Sequence, residues 1–510
     1  MERYYLAFDA GTQSVKVAVY DAAMACVAQS SAMTPIRYPG PGMVEMSADD
    51  YLSLAVNGIR ACADQMAAEG RDPRAIRAIM GDGIICGIVG VDARGDAVTP
   101  YVNYLDSRTQ PDADRVNADG LAIWARETGN AEASCMFPAM FARWFLRNSE
   151  AFRERGAKFV HNAPYILMHL AGLSAEDAFV DQGAMSGWGL GYDVAGKEWS
   201  DAQLEILGID RRYLPRILKP WDVVGGLTPE MAEATGLRAG TPVCAGAGDT
   251  MQSLLGCGAF GPGCAVDVAG TCAMFCMCTD GVNDRLSSAG SDLIFNSGTL
   301  DGTYFYWGFI RTGGLSLRWF KDTVCKGLVD YGLLTSIAET VPAGCNGVTF
   351  LPYLTGGYGD MSQASGAFLN LTPEVDAGVM WRSVLEAIGY DYMGVTDRYR
   401  AAGLALDRVT ITEGGSSNDL WNQIKADMLG VPAVTMRDHG GALLTDCITA
   451  AYAVGDVPDI GSALKAAETA EHVYEPDLGD TAVYRRQYEG RRAVLDGMRG
   501  VFPSLRSMVR

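Results

Sequence analysis

Residues 4–20 read YYLAFDAGTQSVKVAVY, in which two apolar runs flank a short polar loop at residues 9–14. Aromatic and β-branched residues on both sides of a glycine-containing loop are typical of a β-hairpin. The same layout recurs at residues 264–278, where CAVDV is followed by AGT and then by CAMFCMC. Two such units, about 260 residues apart, predict a chain whose two halves share one plan.

The chain between and after these hairpins alternates strand-like and helical stretches, which predicts an α/β fold. Predicted strands cover residues 76–80, 84–91, 242–245, 348–351 and 408–412. Predicted helices cover residues 49–68, 138–147, 230–236, 378–402, 418–429 and 442–455. The seven arginines among the last thirty residues lie in a helical pattern, which predicts a solvated terminal helix.

Composition excludes several classes of protein. The chain has 510 residues, 48% of them apolar, and a formal net charge of -20. The apolar content excludes a disordered chain, and the acidic balance argues against a general nucleic-acid-binding protein. Thirteen cysteines without a paired framework, no signal-peptide pattern and no long apolar run predict a cytoplasmic protein without a membrane span. A monomer and a homodimer are both compatible with the sequence.

Familiar nucleotide motifs almost appear, but they fail on context. Residues 191–197, GYDVAGK, have the spacing of a P-loop, but the next residue is Glu198 rather than Ser or Thr. Residues 256–261, GCGAFG, match a dinucleotide fingerprint but follow a helix instead of a strand, so we interpret them as a loop. The cysteines at 272, 276 and 278 match no zinc-binding spacing.

The two hairpin loops suit phosphate groups better. A glycine in a tight turn lets backbone N–H groups approach an anion closely. In the first loop Thr12 and Ser14 add hydroxyl donors, Lys16 adds a positive charge, and Asp9 could hold a magnesium ion. Gly270 and Thr271 offer similar chemistry in the second loop. An ordinary polar hairpin is the alternative for each.

Two further segments carry potential chemistry. Residues 413–430, EGGSSNDLWNQIKADMLG, predict a Gly-Gly turn between a strand and a helix that Ser417 or Asn418 caps. Such a turn at a helix N-terminus suits a nucleotide, although an ordinary connection is the alternative. In residues 246–249, GAGD, Asp249 is either a helix cap or a carboxylate that accepts a proton from a hydroxyl nucleophile.

In this order, DAGTQSVK, GAGD, the second AGT and GGSSNDLWNQIKADMLG resemble the FGGY carbohydrate kinases of the actin/Hsp70/sugar-kinase superfamily. The stretches GMVEMSADDY, YLDSRTQ, GLSLRWFKD and SGAFLNLTPE extend the resemblance over about residues 4–490. It implies two actin-like (ribonuclease H-like) domains, at residues 1–250 and 251–510, with a cleft between them. It also implies ATP and Mg²⁺ as cofactors and a small sugar as the substrate.

The resemblance also assigns residue roles. It makes Asp249 the catalytic base that accepts the proton of a sugar hydroxyl, and it puts Asp9 near the metal. The expected ATP-binding residues are Gly11, Thr12, Gln13, Ser14, Lys16, Gly270, Thr271, Gly414, Gly415, Ser416 and Asn418. The expected substrate-binding residues are Ile85, Cys86, Asp106, Arg108, Asp249 and Thr250.

Within the family the layout is most similar to the xylulokinase branch, so the expected reaction converts D-xylulose to D-xylulose 5-phosphate. That branch carries Gln-Met-His-Gly where residues 84–87 read IICG, and usually Asn where this chain has Thr250. The phosphate-binding elements are kept while the sugar-facing ones differ. Another ketose, a polyol or a related small carbohydrate is therefore an alternative substrate. An actin- or Hsp70-like ATPase without sugar kinase activity is the alternative of another class.

Overall fold

The computed structural model describes residues 2–270, 273–310, 312–357, 361, 363–436, 441–467 and 470–508. The chain forms two compact units, neither of which is continuous in sequence. Unit 1 contains Met1–Phe260, Asp280–Phe305 and Gly440–Glu468, and unit 2 contains Gly261–Thr279, Tyr306–His439 and Thr469–Arg510. The predicted boundary between residues 250 and 251 assigns Asp280–Phe305 and Gly440–Glu468 to the second domain, whereas the structure groups these two segments with unit 1. As a boundary between family domains it stays a prediction.

The strands of the described chain follow in sequence order. They are β1 (Tyr4–Ala10), β2 (Ser14–Asp21), β3 (Cys26–Met33), β4 (Arg37–Gly40), β5 (Met43–Met46), β6 (Ile76–Gly83), β7 (Gly87–Val91), β8 (Tyr101–Asn103), β9 (Lys158–Val160), β10 (Phe179–Asp181), β11 (Tyr192–Asp193), β12 (Glu198–Trp199), β13 (Arg216–Leu218), β14 (Val223–Gly226), β15 (Pro242–Cys244), β16 (Ala247–Gly248), β17 (Gly263–Ala269), β18 (Ala273–Thr279), β19 (Ile294–Ser297), β20 (Tyr304–Ile310), β21 (Thr349–Leu351), β22 (Ala367–Leu369), β23 (Leu406–Thr412), β24 (Ala433–Met436) and β25 (Ala470–Tyr474).

The helices of the described chain include all those predicted above, with ends shifted by one or two residues. They are α1 (Ala48–Ala68), α2 (Gln110–Thr128), α3 (Pro138–Asn148), α4 (Glu150–Arg155), α5 (Asn162–Ala171), α6 (Asp201–Leu207), α7 (Pro229–Thr235), α8 (Asp249–Gly256), α9 (Gly313–Trp319), α10 (Tyr331–Ala338), α11 (Ala377–Ala401), α12 (Asp419–Leu429), α13 (Ala442–Ala453), α14 (Ile460–Ala467), α15 (Leu478–Met498) and α16 (Phe502–Ser507). None of the helices within these described ranges is long and apolar enough to cross a membrane.

The main sheet of unit 1 has the strand order β14–β15–β6–β1–β2–β3, and β16 also pairs with β6. The predicted hairpin is confirmed, since β1 and β2 are antiparallel, and β6 lies parallel to β1. Leu6 and Phe8 belong to the core that α1 and α5 share, whereas Tyr5 and Ala7 pack in a second core with α13. Both faces of β1 are therefore buried, which explains why the strand reads as a continuous apolar run.

Unit 2 repeats this plan. Its main strands lie in the order β20–β18–β17–β23–β24–β25. The hairpin of β17 and β18 is antiparallel and β23 is parallel to β17, just as β6 is parallel to β1. The predicted second hairpin is thus confirmed, and each unit carries a glycine turn next to the end of a parallel strand.

The expectation of a solvated terminal helix is wrong for one face of α15. Tyr484, Tyr488 and Arg491 are buried there. The Arg491 guanidinium donates a hydrogen bond to the Phe350 carbonyl at 2.6 Å. An arginine-rich pattern alone did not reveal this buried face, because long arginine side chains can pack their stems and satisfy their charged ends inside a protein.

Candidate active site

The turn between β1 and β2 brings together several of the predicted phosphate-binding residues. The Gly11 N–H donates to the Ser14 carbonyl at 3.1 Å and closes the turn. The Tyr51 hydroxyl donates to the Gly11 carbonyl at 3.1 Å, and the Thr34 N–H donates to the Gln13 carbonyl at 2.9 Å. These bonds hold the loop backbone in place.

Asp9 and Lys16 face each other across this hairpin. The Lys16 ammonium lies 3.2 Å from Asp9 Oδ2, and the side chains are 54% and 15% exposed. Within the described residues, no three His, Cys, Asp or Glu side chains form a metal-binding cluster. In its predicted metal-binding role, Asp9 would be joined by phosphate and water oxygens, which is how proteins usually bind Mg²⁺.

Asp249 begins α8 directly after β16, which pairs with the end of β6. Its Oδ1 accepts hydrogen bonds from the Thr250 N–H at 2.6 Å and from the Thr250 hydroxyl at 3.1 Å. Burial, and then the nearby charge of Asp9, raise the pKa of Asp249 to about 7. A carboxyl group that ionises near neutral pH is suited to act as a general base.

Glycines let the strand–turn–helix around Asp249 fit into unit 1. Gly246 has a φ of 78°, and a Cβ atom there would lie 2.3 Å from the Gly81 carbonyl oxygen. A Cβ atom on Gly248 would lie 2.2 Å from Cγ2 of Ile85. Both contacts are far closer than real Cβ atoms allow, so the GAGD pattern is needed for the backbone approach that positions Asp249.

Two buried carboxyl groups beside this site were not predicted from the sequence. Asp82 on β6 lies next to Asp9 in the parallel register, and Asp446 comes from α13. Asp446 accepts a hydrogen bond from the Gln252 amide at 2.6 Å, and its carboxyl group lies against that of Asp82. Burial above all raises the pKa of both groups well above the usual range, so both favour the protonated form. The sequence signal that could have revealed Asp82 is the presence of a charged residue within the apolar strand β6.

The predicted substrate-binding residues Ile85 and Cys86, which follow β6, lie in a largely apolar environment. The Cys86 sulfur contacts the Gly187 carbonyl at 3.7 Å, and the Ile85 carbonyl accepts a hydrogen bond from His161 Nε2 at 3.1 Å. Burial, and then the Asp249 charge, raise the pKa of Cys86 to about 12, so it is a neutral thiol. Burial lowers the pKa of His161 to about 4, so the imidazole is uncharged as well.

Asp106 and Arg108 form a closed network. Arg108 donates to Asp106 and to Glu45, each at 2.7 Å, and its guanidinium lies 4.9 Å from the Trp144 ring centroid. Asp106 also accepts a hydrogen bond from the Val44 N–H at 2.7 Å. The Arg108 charge is thus paired with two carboxylates within unit 1, and a contact of Asp106 or Arg108 with a sugar stays a prediction.

Unit 2 contains a cavity of about 590 Å³ at the end of β23. The predicted residues Gly270, Gly414, Gly415 and Asn418 line it, whereas Ser416 is buried and Ser417 takes its place in the lining. Thr271 lies outside the described residues. Lining residues that the sequence did not reveal include Arg318, Tyr331, Thr335, Ser336 and Glu413.

The turn at this cavity is shaped by one glycine and one cap. A Cβ atom on Gly415 would lie 2.4 Å from the Ala269 Cβ, so the turn packs directly against the second hairpin loop. Of the two predicted caps, Ser417 and Asn418, it is Asn418 that caps α12, with Oδ1 accepting from the Trp421 N–H at 3.0 Å. The Asn418 amide also donates to the Thr335 hydroxyl at 3.1 Å, which ties α12 to α10.

A buried ion pair lies beneath the cavity. Lys425 Nζ is 2.6 Å from Asp267 Oδ2, and both side chains are 1% exposed. The Tyr392 hydroxyl donates to Asp267 Oδ1 at 2.5 Å. Lys425 Nζ also lies 3.7 Å from the ring centroid of Trp421, whose indole lines the cavity. The pair therefore joins β17, α11 and α12 under the predicted nucleotide site.

The chain matches known family models over most of its length. The family model for the FGGY family of carbohydrate kinases, N-terminal domain, matches residues 4–256, and the C-terminal model matches residues 265–454. The chain is 23% identical over 459 residues to the xylulose kinase of Bacillus subtilis, which covers 89% of each protein.

Solved structures share the fold over nearly the whole chain. The gluconate kinase of Lactobacillus acidophilus superposes with a TM-score of 0.88 at 22% identity, covering 99% of this chain and 100% of that one. The Plasmodium falciparum glycerol kinase with ADP gives a TM-score of 0.87 at 18% identity, covering 97% and 98% of the two chains.

Proposed function

The chain belongs to the FGGY family of carbohydrate kinases, and on that premise we propose that it uses ATP to phosphorylate D-xylulose, with Asp249 as the general base. The observation that carries the assignment of the base is the partly exposed Asp249 carboxyl at the start of α8, with a pKa of about 7. In this role Asp249 accepts the proton of a sugar hydroxyl, and the oxygen attacks the γ-phosphorus of ATP in line.

The glycine turns supply the nucleotide contacts in this proposal. Gly11 and the loop to Ser14 offer backbone and hydroxyl donors to phosphate, as does Gly270 in unit 2. The cavity around Gly414, Gly415 and Asn418 takes the adenosine part of ATP. Because the hydrogen bonds of the first turn already fix its backbone, little ordering is needed when phosphate binds.

The donor set of unit 1 fits one magnesium ion bound together with phosphate. Asp9 is the residue that would hold it, since its carboxylate is partly exposed beside the hairpin turn whereas Asp82 and Asp446 are fully buried. Mg²⁺ supplies neutralisation of phosphate charge when it is bound. Lys16, 3.2 Å from Asp9, provides a further positive charge on the same face of the hairpin.

The charges around Asp249 favour a neutral polyhydroxy substrate over a sugar acid. Arg108 is the one cation among the predicted substrate-binding residues, and Asp106 and Glu45 already balance it. Cys86 is an uncharged thiol and Asp9 is acidic. A carboxylate such as that of gluconate would therefore find no free partner among these predicted residues and would meet repulsion instead.

We prefer D-xylulose among neutral substrates because the order of the sequence motifs resembles the xylulokinase branch; the relatives include xylulose and glycerol kinases alike. A cytoplasmic location belongs to the same proposal. All twelve cysteines in the described part of the chain are free, which suits a reducing compartment.

The test is ADP release measured with ketopentoses, ketohexoses, heptuloses, polyols including glycerol, and gluconate. The proposal predicts the largest kcat/KM for D-xylulose, and phosphate on O5 of the product by NMR. A larger value for another ketose or polyol would replace the substrate, and a larger value for gluconate would overturn the charge argument.

Asp249→Ala provides the test of the base. We expect turnover to fall by at least about a thousandfold, since the base and its position are lost together. ADP affinity should stay within about twofold, because the adenosine cavity is built from other residues. Normal turnover in this variant would remove Asp249 from the mechanism.

A further inference from the structure

Glu413, the first residue after β23, has an unusual backbone conformation. Its φ is 62° and its ψ is −166°, a combination that glycine adopts easily and other residues only under strain. The Glu413 carbonyl accepts hydrogen bonds from the Ser416 N–H at 3.1 Å and the Ser416 hydroxyl at 2.7 Å. The turn therefore imposes this conformation, and a glycine would meet it without strain.

The strained residue lines the unit 2 cavity and carries an unpaired carboxylate. Glu413 is exposed and lines the cavity of about 590 Å³. Within the described residues its carboxylate has no hydrogen bond or ion pair, even though Arg318 lines the same cavity. Asp419 differs, because it accepts a hydrogen bond from the Tyr474 hydroxyl at 2.6 Å. The Glu413 carboxylate is therefore available to a ligand.

Strand register gives the position of Glu413 in the cavity. Thr412 pairs with Val268 in the parallel β17–β23 ladder, so Glu413 follows beside Ala269 and Gly270 of the second hairpin loop. This is the end of the cavity assigned above to phosphate. The part of a nucleotide next to its phosphates is the ribose, whereas the base extends farther away.

An ionised carboxylate only accepts hydrogen bonds. A carboxylate repels phosphate oxygens, because they are acceptors as well. The ribose hydroxyls are donors, and they lie next to the phosphates along the nucleotide, where Glu413 is placed. We propose that Glu413 binds the 2′- and 3′-hydroxyls of the ribose and makes the site selective for ribonucleotides. This inference rests on the proposed function, since it assumes that the cavity takes the nucleotide.

The experiment measures binding of ADP, 2′-deoxy-ADP and 3′-deoxy-ADP to the full-length protein by calorimetry, without sugar. A hydrogen bond to a charged group predicts that each deoxynucleotide binds the unmodified protein roughly ten- to a hundredfold more weakly than ADP. Glu413→Ala removes the carboxylate but keeps a Cβ atom on the strained backbone. In this variant, ADP should bind less than about threefold more tightly than either deoxynucleotide.

Glu413→Gly separates the two properties of this residue. It should lose the discrimination as Glu413→Ala does, but it should raise the Tm because the backbone strain is relieved. Lys326→Gly is the matched control, since Lys326 has a φ of 57° and does not line the cavity. It should also raise the Tm while leaving the preference for ADP unchanged.

The outcomes distinguish this inference from the proposed function. If ADP binds and the deoxynucleotides bind equally well, the role of Glu413 is overturned while the kinase assignment stands. Unchanged discrimination in Glu413→Ala also overturns it, whereas a lower Tm in Glu413→Gly would overturn the backbone strain assigned to this residue. If ADP does not bind at all, the nucleotide assignment of the cavity fails, and the inference fails with it.

Discussion

Asp249, Asp82 and Asp446 are carboxyl groups of unit 1 whose pKa values are all raised by burial. They differ in their exposure and in the groups that contact them. Asp249 is partly exposed and accepts two bonds from Thr250, whereas Asp82 is fully buried against the Asp446 carboxyl group. One residue type thus provides a group that can accept a proton near neutral pH and others that stay protonated.

The pKa of Asp249 predicts the pH profile of the reaction. Its carboxyl is protonated below its pKa of about 7 and cannot accept a proton there. We expect kcat/KM to fall about tenfold for each pH unit below 7 and to level off above it. Initial rates between pH 5.5 and 8.5 at saturating ATP measure this profile.

A matching series of Tm values is the control for acid unfolding. If the Tm is constant while the rate falls, the loss belongs to the base. A rate that stays flat down to pH 5.5 would mean that the functional base has an ordinary carboxyl pKa, contrary to the effect of burial described here.

Secondary-structure elements explain how much of the site could be predicted. Both hairpins and the strand–turn–helix at residues 406–429 are specified by local patterns, so they were predicted correctly. A cap of α12 by Ser417 or Asn418 was predicted for the same reason, and the structure selects Asn418. The contact between Asn418 and Thr335 in the cavity wall could not be predicted, because it depends on packing between α10 and α12, which are distant in sequence. The strain at Glu413 was also hidden, since it follows from the turn geometry.

Asn418 links the stability of α12 to the nucleotide cavity. Asn418→Ala should cost about 1 kcal/mol of unfolding free energy, because the first turn of α12 loses its side-chain cap. It should also weaken ADP binding several-fold, because the bond to Thr335 holds the cavity wall. Urea unfolding and calorimetry measure the two effects.

Asp376→Ala is the control for this cap. Asp376 caps α11, accepting from the Val379 N–H at 3.0 Å, and it does not line the cavity. It should lose similar stability with unchanged ADP affinity. Equal losses of affinity in both variants would indicate that destabilisation alone weakens binding.

The ion pair between β17 and α12 gives a second prediction at this scale. Lys425→Met leaves the buried Asp267 carboxylate without its cation, which should cost about 3–5 kcal/mol of stability. The double variant Asp267→Leu with Lys425→Met removes both charges and should recover most of the loss, as measured by urea unfolding. A double variant that is less stable than the single one would contradict this account.

At the scale of the whole molecule, unit 1 depends on a segment that lies far along the chain. Helix α13, at residues 442–453, covers the face of the sheet that carries Tyr5, Ala7 and Met80. It also brings Asp446 to the site beside Asp82. Local sequence patterns predicted the helix but not its destination, because only tertiary packing relates residue 446 to residue 82.

This dependence predicts that residues 1–305 do not fold stably without α13. The exposed sheet face would lose burial of several apolar side chains at about 1.5–3 kcal/mol for each large one, which is comparable to the whole stability of a domain. We expect a fragment in which a short Gly/Ser linker replaces residues 261–279 to bind a hydrophobic dye and to melt without cooperativity. The same fragment with residues 440–468 joined by a flexible linker should melt cooperatively. Cooperative melting of the shorter fragment would show that α13 is not part of the core on which unit 1 depends.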